Sequence, residues 1–184
     1  MLSILIVLIL GLLFWSSASS SNNISTLNDE NKKLKSSVLN LQANIDSTPP
    51  IIEIAELYEG VNNERIKLGL GKLEINTRLE ISACAKAYDM SAKNYWSHIA
   101  PGGTTPWEFI RSAGYNYLGT GENLARGHMT AMEILAGWVS SPTHYENIVG
   151  SFSDMGICII QTNQPNIPVS NTAINIIVNH FGKR

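Results

Sequence analysis

The stretch WVSSPTHYENI, residues 138 to 148, puts His144 behind a Ser-Pro pair at the end of an amphipathic segment, and the chain holds three further histidines, His98, His128 and His180. Two neutral imidazoles and a carboxylate can supply three ligands to a divalent ion and leave a fourth position for water, as a catalytic zinc requires. Without metal, the same groups make a His/Glu acid–base pair. Spacing alone argues little for either chemistry: His98 and His144 are 46 positions apart, no HExxH occurs, and each histidine follows a predicted helix end, where the dipole favours a cation. His180 falls on the apolar face of a terminal strand and reads as a hydrogen-bonded core histidine, and His128 as a loop residue.

Nucleophilic chemistry has less to work with. No GxSxG elbow is present, and Ser97 and Ser141 sit beside histidines as capping serines do at helix ends. Cys84 lies between alanines and Cys158 in an apolar run, so both read as packing residues with mostly free thiols; outside the cell the two could pair.

The elements that must position these groups begin near Ile51. Ile54, Leu57, Tyr58, Val61, Arg65 and Leu68 form one helical stripe that stops at Gly69. Capping boxes open further helices at Thr77-Arg-Leu-Glu80, Thr105-Pro-Trp-Glu108 and Thr130-Ala-Met-Glu133, the last ending at Ser140-Ser141-Pro142. Glu108 has a sufficient role in its own box. Met155 to Gln161 and Thr172 to Phe181 read as two strands of a hairpin. Helices first and strands last, without βαβ alternation, predict an α+β fold with a small antiparallel sheet covered by helices.

Composition bounds the rest. A chain of 184 residues, 44% hydrophobic, supports one main domain, and a net charge of -2 with 13 scattered Lys and Arg residues excludes a nucleic-acid partner. Leu2 to Trp15 is apolar except for Ser3 and Gly11. As a helix it spans about 21 Å, short of the roughly 30 Å hydrocarbon core, which suits a signal-peptide h-region, with Ala18 available for cleavage. Residues 1–20 are thus a signal peptide or, because a stalk follows, an uncleaved N-terminal hydrophobic helix that anchors the chain in the membrane.

The stalk is 21–46. Ile24, Leu27, Asn31, Leu34, Val38, Leu41 and Ile45 keep a/d spacing, with Asn31 at a, and Glu30 at g within reach of Lys35 at e on a second helix. Two readings stand, a homodimeric coiled coil and a single amphipathic or mostly disordered stalk. The prolines of the 47–50 linker end it.

In order along the domain come Asn62-x-x-Arg65, Ser97-His98, Pro101-x-Gly103-x-Thr105-Pro106, Ala113-Gly114-Tyr115, Gly121-Glu122-Asn123-Leu124-Ala125, Trp138-x-x-Ser141-Pro142-x-His144-x-x-Asn147-Ile148 and Phe181-Gly182. This series resembles the CAP superfamily of cysteine-rich secretory, antigen five and pathogenesis-related one proteins, in its compact prokaryotic SCP-like form, over 51–184. The resemblance implies an α-β-α sandwich, export to the extracellular face of the membrane or secretion, and a cleft that in some members binds a divalent metal. It makes His98, Glu122 and His144 the candidate metal-ligating and catalytic residues, with zinc or another divalent metal as cofactor. Ser141 stands where many members have a second glutamate, so their four-residue set is incomplete. Asn123 and Asn147 are expected to hold the loops of the cleft through main-chain hydrogen bonds, with Glu122 on the loop between the histidines. Three function classes follow: a binding module for a lipid, a wall component or a protein; a metal- or His/Glu-dependent hydrolase; and a structural surface-display domain.

Overall fold

The computed structural model describes residues 24–43, 52–127, 129–163 and 173–184; the expected segment 1–20, the linker and His128 lie outside them. The chain divides into two units, Met1–Asp46 and Ser47–Arg184. In the first, helix α1 covers 24–43, every residue of it exposed. Among the described residues no helix is long and apolar enough to cross a membrane.

The second unit runs α2 (Ile54–Lys67), β1 (Glu74–Ile75), α3 (Thr77–Ala92), α4 (Pro106–Ser112), β2 (Gly119–Gly127), α5 (Ala131–Ser140), α6 (Pro142–Val149), β3 (Asp154–Thr162) and β4 (Ile174–Lys183). The sheet order is β1-β3-β4-β2. The expected hairpin is there, β3 against β4 from Asp154↔Gly182 to Thr162↔Ile174. The sheet is mixed rather than purely antiparallel, because two-residue β1 runs parallel to β3. A second departure matters more for the site. Gly119–Gly127, whose glycines suggested a loop, is a nine-residue strand paired with β4 along its whole length. Glu122 is therefore a strand residue.

Alternation on these strands builds two cores. On one face Ile176 and Val178 of β4, Cys158 and Ile160 of β3 and Leu124 of β2 meet Ala83, Ala87 and Met90 of α3. On the other, Ile177, Phe181, Met155 and Ile157 meet Leu57, Tyr58 and Val61 of α2, Trp138 of α5 and Ile148 of α6. That is an α-β-α sandwich, with β4 buried from Ile174 to Gly182 at its centre.

Two contacts press α3 onto the sheet. Gly156 faces the first turn of α3, where a Cβ would collide with Leu79 and the Glu80 amide. Cys84 and Cys158 form a disulfide, which overturns the expectation of free thiols. Each cysteine does sit among packing residues, but α3 lies along β3 so closely that their Cα atoms come within 5.0 Å.

On the opposite face Arg65, a stripe position of α2, is 4% exposed and spends its guanidinium on carbonyls: Nη1 donates to Ile148 O at 2.8 Å and Gly150 O at 2.7 Å. It thereby closes the C-terminal end of α6. Denaturant melts should show the disulfide contributing about 2–4 kcal/mol, lost on reduction or in Cys84→Ala/Cys158→Ala. Gly156→Ala should cost more than about 2 kcal/mol, because backbone atoms rather than a flexible side chain must move.

Candidate functional site

Strand β2 is the sheet edge, and its outward carbonyls are covered by side chains instead of another strand. Asn147 Nδ2 donates to Glu122 O at 3.1 Å, and Trp138 Nε1 to Leu124 O at 3.1 Å. Asn123, pointing the same way, donates to His144 O at 3.0 Å and accepts from Asn147 Nδ2 at 2.8 Å. The two asparagines thus tie β2 to α6. His144 is not in a turn: Ser141-Pro142 starts α6 with proline at its first position, so the imidazole stands on the first helical turn. Ser141 is the junction of the two helices, its carbonyl accepting from Tyr145 N. Its hydroxyl pairs with Thr143.

Glu122 points to the other face of β2, toward α3. Its side chain is 1% exposed, and both oxygens are taken by imidazoles: His98 Nδ1 lies 2.5 Å from Oε1 and His180 Nε2 3.0 Å from Oε2. His180 is directly opposite Glu122 in the β2–β4 register. His98 arrives from the segment after α3 and remains 56% exposed. Burial pushes the Glu122 carboxyl up, but its two imidazole partners, with Lys86 adding to them, more than offset this and hold it below its ordinary range.

An ionised carboxylate only accepts. His98 therefore donates through Nδ1 and presents Nε2 outward, whereas His180 donates through Nε2 and leaves Nδ1 to Ser82 Oγ at 2.7 Å. The two rings thus meet one anion through opposite nitrogens.

Beneath the His98 segment lies a group that sequence reasoning passed over. Lys86 of α3 is fully buried, and its Nζ donates to Tyr95 Oη at 3.1 Å, Ser97 O at 2.9 Å and His98 O at 2.7 Å. It also lies 4.8 Å from the Tyr95 ring centroid. Burial pulls its pKa down, opposed by the charges of Glu122 and Asp89. The signal was a lysine on the face of α3 that carries Ala83, Ala87 and Met90. His180 is the hydrogen-bonded core residue its sequence position implies, and the pairing of β2 with β4 supplies its partner.

The structure thus brings His98 onto Glu122, and sets His144 beyond the β2 edge with no hydrogen bond to that carboxylate among the described residues. Burial lowers the His144 pKa, and the nearby His98 lowers it further. Glu108 closes its capping box on Thr105 and stays out of the site. Next to His98 opens a cleft of about 350 Å³ whose lining includes Ile99, Pro106, Trp107, Thr120, Glu122 and Asn147. Ile99 is 54% and Trp107 37% exposed.

The donor set does not fit a three-ligand metal centre in this arrangement. Glu122 has given both oxygens to ring N–H groups, which leaves two imidazoles where a zinc site takes at least three protein ligands. Among the described residues no group of three His, Cys, Asp or Glu side chains is disposed to hold an ion.

Comparison with known proteins bears on all of this. The model of the cysteine-rich secretory protein family, CAP, matches residues 58–169. The uncharacterized protein YkwD of Bacillus subtilis is 36% identical over 108 residues, 58% of this chain and 42% of that protein. The chain thus matches less than half the length of that curated relative. Among solved structures, an outer surface protein of Borrelia burgdorferi superposes with a TM-score of 0.57 at 27% identity, covering 71% of this chain and 92% of that one. An SCP-domain extracellular protein of Bacillus anthracis gives 0.59 at 21% identity, over 71% of this chain and 40% of that one.

The Glu122 hydrogen bond raises the His98 pKa above its ordinary 6.5, burial opposing. A raised histidine stabilises the fold below its unfolded pKa and loses that contribution as pH rises through the folded one; a depressed carboxyl stabilises above its unfolded pKa and loses it as pH falls. The pair should therefore contribute most between about pH 4.5 and 6.5, by an amount reduced by the exposure of His98. Histidine NMR should show His98 titrating lower in Glu122→Gln than in wild type. Above its pKa, wild-type His98 should appear as the Nδ1–H tautomer.

Proposed function

Because the chain belongs to the cysteine-rich secretory protein family, we propose that its second unit is an extracellular binding module whose cleft takes a hydroxyl-bearing wall saccharide. The observation that carries this reading is the placement of His98. Its Nδ1 is held by a buried carboxylate, which leaves Nε2 to hydrogen-bond a ligand in the cleft that Trp107 and Ile99 also line. A sugar ring suits both halves, laying its C–H face on the indole and placing a hydroxyl, donor or acceptor as the ring's protonation requires, on the imidazole. Surface location is supported by the Borrelia outer surface protein and the Bacillus anthracis extracellular protein that the fold resembles. The Cys84–Cys158 bond suits an oxidising compartment, and the apolar segment 1–20 suits export or anchoring.

A hydrolase is the second reading, favoured by one feature: an imidazole oriented by a carboxylate is the base half of many acid–base sites. Against it, neither serine beside these histidines is hydrogen-bonded to an imidazole among the described residues. Ser97 Oγ accepts from the Ile99 amide and Ser141 Oγ pairs with Thr143. A metal-dependent version would need Glu122 to release one histidine.

Titration of soluble wall saccharide fragments into the purified protein, followed by tryptophan fluorescence and calorimetry, tests the reading. Binding should weaken on the order of tenfold in Trp107→Ala, for about 1.4 kcal/mol of lost contact. His98→Ala should cost roughly fivefold, the worth of one hydrogen bond of about 1 kcal/mol. Turnover of the fragments would move the assignment to a hydrolase. Absence of binding, with a lipid retained through purification, would move it to a lipid carrier.

A further inference from the structure

Helix α1 carries its large aliphatic residues, Leu39 apart, on one seam and covers none of them. Ile24, Leu27, Leu34, Val38 and Leu41 are 54–63% exposed. A lone helix of 20 residues is marginal in water, and its stability in proteins comes from burying such a face. The residue types say what buries it. Ile24 and Val38, at a, branch at Cβ, and the d positions, 27, 34 and 41, are all leucine, the combination that favours two parallel strands. Asn31 at a meets its own copy only when the helices are parallel and in register, where the two amides hydrogen-bond. Antiparallel helices would set each amide against a leucine layer. Glu30 at g then faces Lys35 at e of the second copy, five positions on, and symmetry supplies the pair twice.

We propose that α1 is the interface of a parallel, two-stranded homodimer, so that each particle presents two cleft-bearing domains. The inference rests on α1 alone and not on what the cleft binds. Its consequence is bivalency: a ligand repeated along a polymer or surface would be held by two clefts at once, with the second captured at high effective concentration.

The test uses the full chain in detergent. Cys84 and Cys158 are bonded to each other, so one introduced cysteine is the single free thiol. Under mild oxidation Leu41→Cys, at d, should form a covalent dimer roughly tenfold faster than Leu39→Cys, at b outside the seam. Exposure predicts the reverse, since Leu39 is 70% exposed and Leu41 61%. Position 41 lies near one end of the helix, so antiparallel partners would hold the two thiols roughly 22 Å apart and leave them unlinked. Leu27→Cys, a d position near the other end, should behave as Leu41→Cys does and guards against one substitution weakening the seam. In the Leu41→Cys background, Lys35→Glu should lower cross-linking roughly fivefold by opposing two glutamates, and adding Glu30→Lys should restore it. Equal cross-linking at positions 39 and 41, or none at 27 and 41, overturns the proposal.

Discussion

One buried anion organises the site. Glu122 sits on the edge strand with its carboxylate almost wholly out of water, a placement that costs several kcal/mol unless the charge is met. Two imidazoles meet it, and each is supplied by a different part of the architecture. His180 comes from the neighbouring strand through register, and His98 from the segment leaving α3. Lys86 adds positive charge to the same region while its three N–H groups hold the Ser97 and His98 carbonyls and the Tyr95 hydroxyl. Charge satisfaction and the presentation of His98 to the cleft are therefore one arrangement.

The opposite face of the same strand is solved differently. There the edge carbonyls and the start of α6 are joined through Asn123, Asn147 and the Trp138 indole, and the far end of α6 is gripped by Arg65. An exposed strand edge invites pairing with other chains, and covering it with side chains removes that template. Gly121 belongs to this arrangement, since a Cβ there would fall on the Asn147 amide. The specific residues of GENLA and SPTHYENI are mutually dependent because one segment is the strand edge and the other its cover.

The packed frame is built from a different set. The two apolar layers, Gly156 beneath the first turn of α3 and the disulfide from α3 to β3 fix helix to sheet, so the strand bearing Glu122 is held by a packed frame instead of by the site itself. That separation lets the cleft walls, Ile99 and Trp107, remain exposed.

The amino-acid sequence by itself determined what depends on neighbours along the chain. Capping boxes at Thr105 and Thr130 formed where their spacing put them, the Arg65 stripe became α2, and the period-two run at the C-terminus became β4. The family motifs named His98, Glu122 and His144, and the structure sets the first on the second. Tertiary structure decided everything that depends on contact between distant segments. GTGENLARG carries too many glycines to announce a strand, and it is one because β4 offers nine partners. His180 is the hydrogen-bonded core histidine that its strand face announces, but its partner lies on that strand and only register supplies it. Lys86 is buried only by the fold, and Cys84 and Cys158, packing residues by their neighbours, become a disulfide only when α3 is laid along β3. The physical reason is common to all four: caps and periodicity are energies between residues a few positions apart, whereas strand register, burial of a charge and meeting of thiols exist only once remote segments have been brought together.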